Sequence, residues 1–92
     1  MVSKTLFSSE STEWETPQDL FDELNSEFAF TLDPCATDRN HKCDKYFTQK
    51  DDGLAQDWGH ERIFCNPPYG REICHWVEKC AKHSGLSVML LP

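Results

Sequence analysis

Apolar residues recur at helical spacing in two stretches of the chain and gather into short β-type runs elsewhere, the pattern from which a parallel α/β sheet is built. Leu20, Phe21, Leu24 and Phe28 fall on one side of a helix opened by Thr16-Pro17-Gln18-Asp19. Thr16 suits the capping position, Pro17 the first helical position, and Asp19 the positive end of the helix dipole. A second helix is expected from Glu72 to His83, with Ile73, Trp76, Val77 and Cys80 on its buried side and Gly85 as its stop. Phe30-Thr31-Leu32, Tyr46-Phe47-Thr48 and Arg62-Ile63-Phe64-Cys65 read as short strands, and Leu86 to Leu91 as a strand buried on both faces. Asp51-Asp52-Gly53 is a turn, followed by a short apolar segment from Leu54 that Gly59 ends. Strand, helix, strand in succession implies parallel pairing through a right-handed crossover, so the fold class is α/β with a mostly parallel sheet. Residues 1–13, rich in Ser, Thr and Glu, read as a flexible leader, which leaves residues 14–92 as the folded unit.

The chain has 92 residues, room for one domain only, and a domain this small buries somewhat over ~60% of its unfolded surface. No apolar run approaches the length of a membrane span, and Met1-Val2-Ser3-Lys4 lacks the apolar stretch of a secretory signal, which places the chain in the cytoplasm. Five cysteines, at 35, 43, 65, 74 and 80, without a Cys-x-x-Cys pair, argue for free thiols. His41 with Cys43, or Cys74-His75 with Cys80 and His83, lacks finger-like spacing, so no metal is expected. A net charge of −7 opposes a DNA backbone, and any DNA-gripping surface should lie elsewhere than on this acidic stretch.

Two strand ends carry a polar residue followed by proline, Asp33-Pro34 and Asn66-Pro67. In open parallel sheets, ligands bind beyond the C-terminal ends of the strands, so both should face one crevice. Proline after Asn66 holds that residue extended, and the Pro67-Pro68 pair carries no N–H. The Asn66 amide oxygen and the Pro67 carbonyl then form a pair of acceptors, with the Tyr69 ring as a stacking face. That arrangement suits an exocyclic amine on a planar base that has been flipped out of a duplex. An amide oxygen hardly takes a proton at neutral pH, so Asn66 would align and polarise the amine rather than act as a base. The plainer alternative is a proline-rich turn with a buried tyrosine.

Trp14-Glu15-Thr16-Pro17, Phe30-Thr31-Leu32-Asp33-Pro34-Cys35-Ala36, Asn40-His41-Lys42-Cys43, Gln56-Asp57-Trp58 and Asn66-Pro67-Pro68-Tyr69-Gly70 together resemble the phage-type DNA N-6-adenine-methyltransferase family along nearly the whole chain. The resemblance implies a partial Rossmann-like methyltransferase fold over residues 14–92, S-adenosylmethionine as methyl donor and adenine in DNA as acceptor. Asn66, Pro67, Pro68 and Tyr69 then correspond to the catalytic motif. Thr16 and Pro17 look like the segment holding the methionine end of the cofactor, a helix N-terminus being suited to a carboxylate. Asp33, Pro34 and Cys35 look like the first cofactor motif, although the glycine-rich loop common in methyltransferases is absent. Asp57 and Trp58 look like readers of the cofactor's adenine, the alternative being a core tryptophan beside a solvated carboxylate. Trp14 and Trp76 read as packing residues. The acidic residue that would hold the ribose has no clear position, with Asp44 the nearest guess.

Such folds normally continue beyond a strand like Leu86 to Leu91, which leads to the expectation of a truncated enzyme, weak or inactive alone, with most DNA contacts missing. Residues 87–91 would then be an exposed, aggregation-prone end. The competing class is a noncatalytic phage remnant or an acidic interaction protein.

Overall fold

The computed structural model describes residues 3–7, 15–68 and 70–91, with side chains described for all but 3–7. Trp14, Tyr69 and most of the expected leader lie outside the described residues. The architecture is α/β: β1 (Ser3–Phe7), α1 (Gln18–Phe28), β2 (Leu32–Asp33), β3 (Lys45–Tyr46), a 3-10 turn at Gly53–Ala55, β4 (Ile63–Cys65), α2 (Ile73–Lys82) and β5 (Ser87–Leu91). The five strands form one sheet in the order β1-β5-β4-β2-β3, and every pairing is parallel.

Side-chain alternation along the strands divides the core into two layers. Phe64 of β4 and Val88 and Leu90 of β5 join Phe21, Phe30 and Leu86 on one face, where Leu20, Leu24 and Phe28 of α1 pack. Rings make up much of this layer: Phe64 meets Phe21 edge-on at 5.1 Å and Phe30 at 5.2 Å. Ile63 and Cys65 of β4 and Met89 of β5 point the other way, against Trp76 and Cys80 of α2, Trp58 and Leu32. A sheet with a helical layer on each face results, as the near-continuous apolar run of β5 requires.

Several expectations need correction. Residues 3–7, assigned to a leader on composition, form β1, which pairs in parallel with β5 from Ser3↔Ser87 to Phe7↔Leu91. Long-range backbone pairing produces this strand, and composition carries no trace of it. For the same reason β5 is no exposed end: β1 and β4 flank it, and Ser87 to Leu90 are buried. Pro17 is the N-cap of α1 rather than its first residue, and no side chain caps the helix. Thr16 is engaged elsewhere. Val77 is 37% exposed, since the inward direction of α2 is fixed by the i, i+4 pair Trp76 and Cys80. That helix stops at Lys82, before Gly85, because His83 turns into extended conformation and buries its ring, Nε2 lying 2.7 Å from the Glu61 carbonyl.

Candidate functional site

β2 leads outward to β3, whereas β4 leads through α2 to β5 on the opposite side, so the connections diverge between β2 and β4. A crevice opens beyond strand ends at such a point because no crossover covers it. A cavity of about 480 Å³ lies there, lined by Thr16, Asp33, Pro34, Cys35, Asn66, Pro67 and Pro68 among others. That volume falls within the usual range for small-molecule sites. The structure thus brings Asp33 at the end of β2 and Asn66 just past β4 to one cavity, on strands that pair directly through Leu32↔Ile63.

Asp33 is 3% exposed. Its Oδ2 accepts from the Lys42 backbone N–H at 3.0 Å, whereas its buried Oδ1 has no hydrogen-bond partner among the described residues. A buried acceptor left unpaired costs about 1–3 kcal/mol. Burial pushes the carboxyl up from its ordinary 3.8 to about 6, against the pull of the Lys42 and Cys35 amides and of the nearby His41 and Lys42 side chains. The group is held ready to ionise with one oxygen unsatisfied. Cys35, beside it, is a thiol pushed up to about 12 by burial and then by the Asp33 charge, so it serves as apolar wall rather than nucleophile.

The loop from β2 to β3 is braced by reciprocal bonds: Thr37 N–H and Oγ1 donate to Asn40 Oδ1 at 2.9 and 2.7 Å, and Asn40 N–H donates to Thr37 Oγ1 at 3.1 Å. This loop presents the Lys42 amide to Asp33, and the Lys42 ammonium reaches Gln18 Oε1 of α1 at 3.0 Å. Across the cavity, Asn66 Nδ2 donates to Thr16 Oγ1 at 2.9 Å. Pro67 is buried and Pro68 exposed. Pro17 is exposed at the head of α1, one residue beyond Thr16.

Asp57 and Trp58 fall outside this cavity. Trp58 is 3% exposed in the core, its Nε1–H donating to the Gly53 carbonyl at 2.9 Å, with Lys79 Nζ 4.9 Å from its ring centre. Asp57 is exposed and accepts from the Gly59 N–H at 2.8 Å, closing a turn. The two border a separate depression beside His75 and Lys79, so the structure does not bring them together with Asp33 and Asn66. Asp57→Ala should change S-adenosylhomocysteine affinity by less than about twofold, since an exposed turn carboxylate outside the cavity lining is not expected to contact the ligand. Trp58→Ala should cost about 3–5 kcal/mol of stability, read by urea denaturation.

Asp44 is exposed and borders neither the cavity nor the depression. Residues that line the cavity without having been given a role there include Lys42, Asp52, Gly53 and Glu72, and Trp76 forms wall as well as core. Lys42 had a signal, since it lies in Asn40-His41-Lys42-Cys43. Asp52 had a weaker one in its Asp-Gly turn, where it adopts φ 55°. Among the described residues, no group of three or more His, Cys, Asp or Glu is placed to hold a metal ion.

A parallel sheet, helices on both faces and a polar cavity where the connections diverge place the protein in the Rossmann-like class of ligand-binding α/β folds. A family profile described as DNA N-6-adenine-methyltransferase (Dam) matches residues 3–92, and the chain belongs to that family. It is similar to a DNA N-6-adenine-methyltransferase of Escherichia phage T1, 31% identical over an alignment 84 residues long that covers 86% of this chain and 35% of that protein. It is also similar to a DNA N-6-adenine-methyltransferase of Haemophilus phage HP1 (strain HP1c1), 28% identical over 96 residues, 99% of this chain and 56% of the relative. The chain therefore spans between about a third and just over half the length of these two relatives. No solved structure matches it.

Proposed function

We propose that the cavity between β2 and β4 is the methyl-donor and target-amine site of a DNA adenine-N6 methyltransferase, with S-adenosylmethionine as donor and adenine in DNA as acceptor. The observation that supports this most is the buried, unpartnered Oδ1 of Asp33 in the same cavity as Asn66. An orphaned carboxylate oxygen there calls for a cationic N–H donor, and the α-ammonium of an amino-acid cofactor supplies one. When bound, the donor supplies a sulfonium methyl whose departure leaves a neutral thioether.

Asp33 would hold the ammonium, and burial would make that ion pair stronger than one at the surface. Cys35 and Trp76 would provide apolar wall, and Pro17, at the head of α1, would stand beside the amino-acid end. Among the described residues, four lining carboxylates, Glu15, Asp33, Asp52 and Glu72, face a single lining lysine, Lys42, a balance that favours a positively charged ligand. On the acceptor side, Asn66 and the Pro67 carbonyl would accept the two hydrogens of the adenine amine and hold its nitrogen pyramidal. Tyr69, outside the described residues, keeps the stacking role read from the sequence. The adenine would have to leave the duplex to reach the cavity. Such chemistry belongs in the cytoplasm of a bacterial or phage-infected cell, where the DNA is.

Calorimetric titration of S-adenosylmethionine into the chain tests the assignment. Asp33→Ala is expected to weaken binding by about tenfold or more, the equivalent of one charge-assisted hydrogen bond. Asn66→Ala should leave donor affinity within about threefold, because its partner is the acceptor amine. Equal losses for the two variants would break the division of roles, and a wild-type chain that binds no donor at millimolar concentration would sink the reading itself.

A further inference from the structure

Asn66 lies just after β4, and Thr16 fifty positions earlier in the chain. Their side chains meet at 2.9 Å, the Asn66 Nδ2–H donating to the Thr16 hydroxyl oxygen. Thr16 is 5% exposed. A Thr-Pro pair ahead of a helix ordinarily spends its hydroxyl on the helix N-terminus, yet α1 has no side-chain cap. Pro17 supplies the first carbonyl, which accepts the Phe21 N–H at 3.1 Å, and it has no N–H that needs a partner. The hydroxyl is thereby released from capping and turned to Asn66.

We infer that Thr16 is a positioning residue for Asn66, setting which end of the amide faces the target amine, rather than a ligand of the donor. The inference rests on the reading of Asn66 as the amine acceptor. A side-chain amide has a donor end and an acceptor end of nearly equal shape, and only its hydrogen bonds decide which way round it lies. With Nδ2 tied to Thr16, Oδ1 occupies the opposite corner of the amide plane. A flipped amide would present N–H groups to the hydrogens of an adenine amine and repel it. The hydrogen bond to Thr16 therefore gives a symmetric-looking side chain a fixed direction as an acceptor, and it binds the segment leading into α1 to the strand end that carries the motif. Misalignment of such a group by a fraction of its length is enough to cost transfer rate on the order of 10- to 100-fold.

The test uses the 92-residue chain, with Thr16→Val removing the hydroxyl at nearly constant shape and Thr16→Ser restoring it. In the wild type, a nuclear Overhauser contact is expected between the Asn66 Nδ2 protons and the Thr16 side chain. In Thr16→Val, the Asn66 side-chain amide signals should shift and exchange with solvent about tenfold faster, the worth of roughly one ordinary hydrogen bond; Thr16→Ser should recover the wild-type signals. Absence of the wild-type contact, or unchanged Asn66 amide signals in a folded Thr16→Val chain, would overturn the inference even if other variants fail to fold. Titration with S-adenosylhomocysteine separates the roles: Thr16→Val should alter its affinity by less than about threefold. A loss as large as that of Asp33→Ala, with the Asn66 amide undisturbed, would make Thr16 a donor ligand instead. If the wild type binds no S-adenosylhomocysteine, the proposed function fails, while the amide signals still decide the link between Thr16 and Asn66.

Discussion

Asp33→Asn is expected to make the protein more stable above pH 6 while weakening its grip on a cationic donor. The wild-type carboxyl titrates at about 6 in the folded chain against an ordinary 3.8. Between those values the folded state binds more protons than the unfolded state, so stability falls as pH rises through the window. The extra stability of the protonated form is fully present below 3.8 and gone once pH has passed about 6. The rise from 3.8 to about 6 corresponds to roughly 3 kcal/mol. Asparagine cannot ionise, and its carbonyl can still accept the Lys42 N–H that Oδ2 accepts now. Urea denaturation should show the variant about 2–3 kcal/mol more stable at pH 8, with the difference closing toward pH 4. Donor binding should run the opposite way, strengthening in the wild type as pH rises through 6 and staying flat in the variant. A variant no more stable than wild type at pH 8 would mean that the ionised carboxylate is already satisfied without a ligand. On the proposed reading, stability and binding would be opposed at this one side chain, as is usual where a buried charge awaits its partner.

Asp33 and Asn66 were legible in the sequence because each is marked by a local device, a polar residue between an apolar run and a proline. That device works through the backbone alone and so survives being read one segment at a time. The helices were legible too, since Phe21, Leu24 and Phe28 or Trp76 and Cys80 advertise a face by spacing. What escaped depends on neighbours far along the chain. β1 exists by pairing with β5 across more than eighty residues, and nothing in Ser-Lys-Thr-Leu-Phe distinguishes it from a polar leader. Thr16 looked like a helix cap because capping is the local rule, and only the arrival of Asn66 overrides it. Asp57-Trp58 stands apart from that cavity for a related reason: the resemblance names the pair, but the Trp58 N–H donates to Gly53 and its ring lies in the core. A motif fixes which residues occur together in sequence, whereas the cavity is defined by which strand ends adjoin.

Gly53→Ala is expected to be the most damaging single-methyl change in the described structure. A Cβ at position 53 would collide with the Pro34 carbonyl oxygen and stand 3.0 Å from the far edge of the Trp76 ring. The first contact is backbone against backbone, so no rotamer relieves it, and either the 3-10 turn or the Pro34 peptide must move. Pro34 follows Asp33 directly and lines the cavity, and the Gly53 carbonyl holds the Trp58 N–H. Displacement therefore reaches both the Asp33 end of the cavity and the α2 layer of the core. A loss of about 4 kcal/mol or more is expected, on the scale of a small domain's whole stability. Gly59→Ala is the control. No atom lies within 4 Å of its added Cβ, and only its φ of +54° is unfavourable to alanine. Backbone strain of that kind costs about 1–2 kcal/mol. The two variants thus separate close approach from conformational freedom as the reason a glycine is needed. Urea denaturation should place Gly53→Ala well below Gly59→Ala, and S-adenosylhomocysteine binding should fall in the former while persisting in the latter. Comparable losses for both would show that the turn yields to the methyl group and that the wall beside Asp33 is softer than its packing implies.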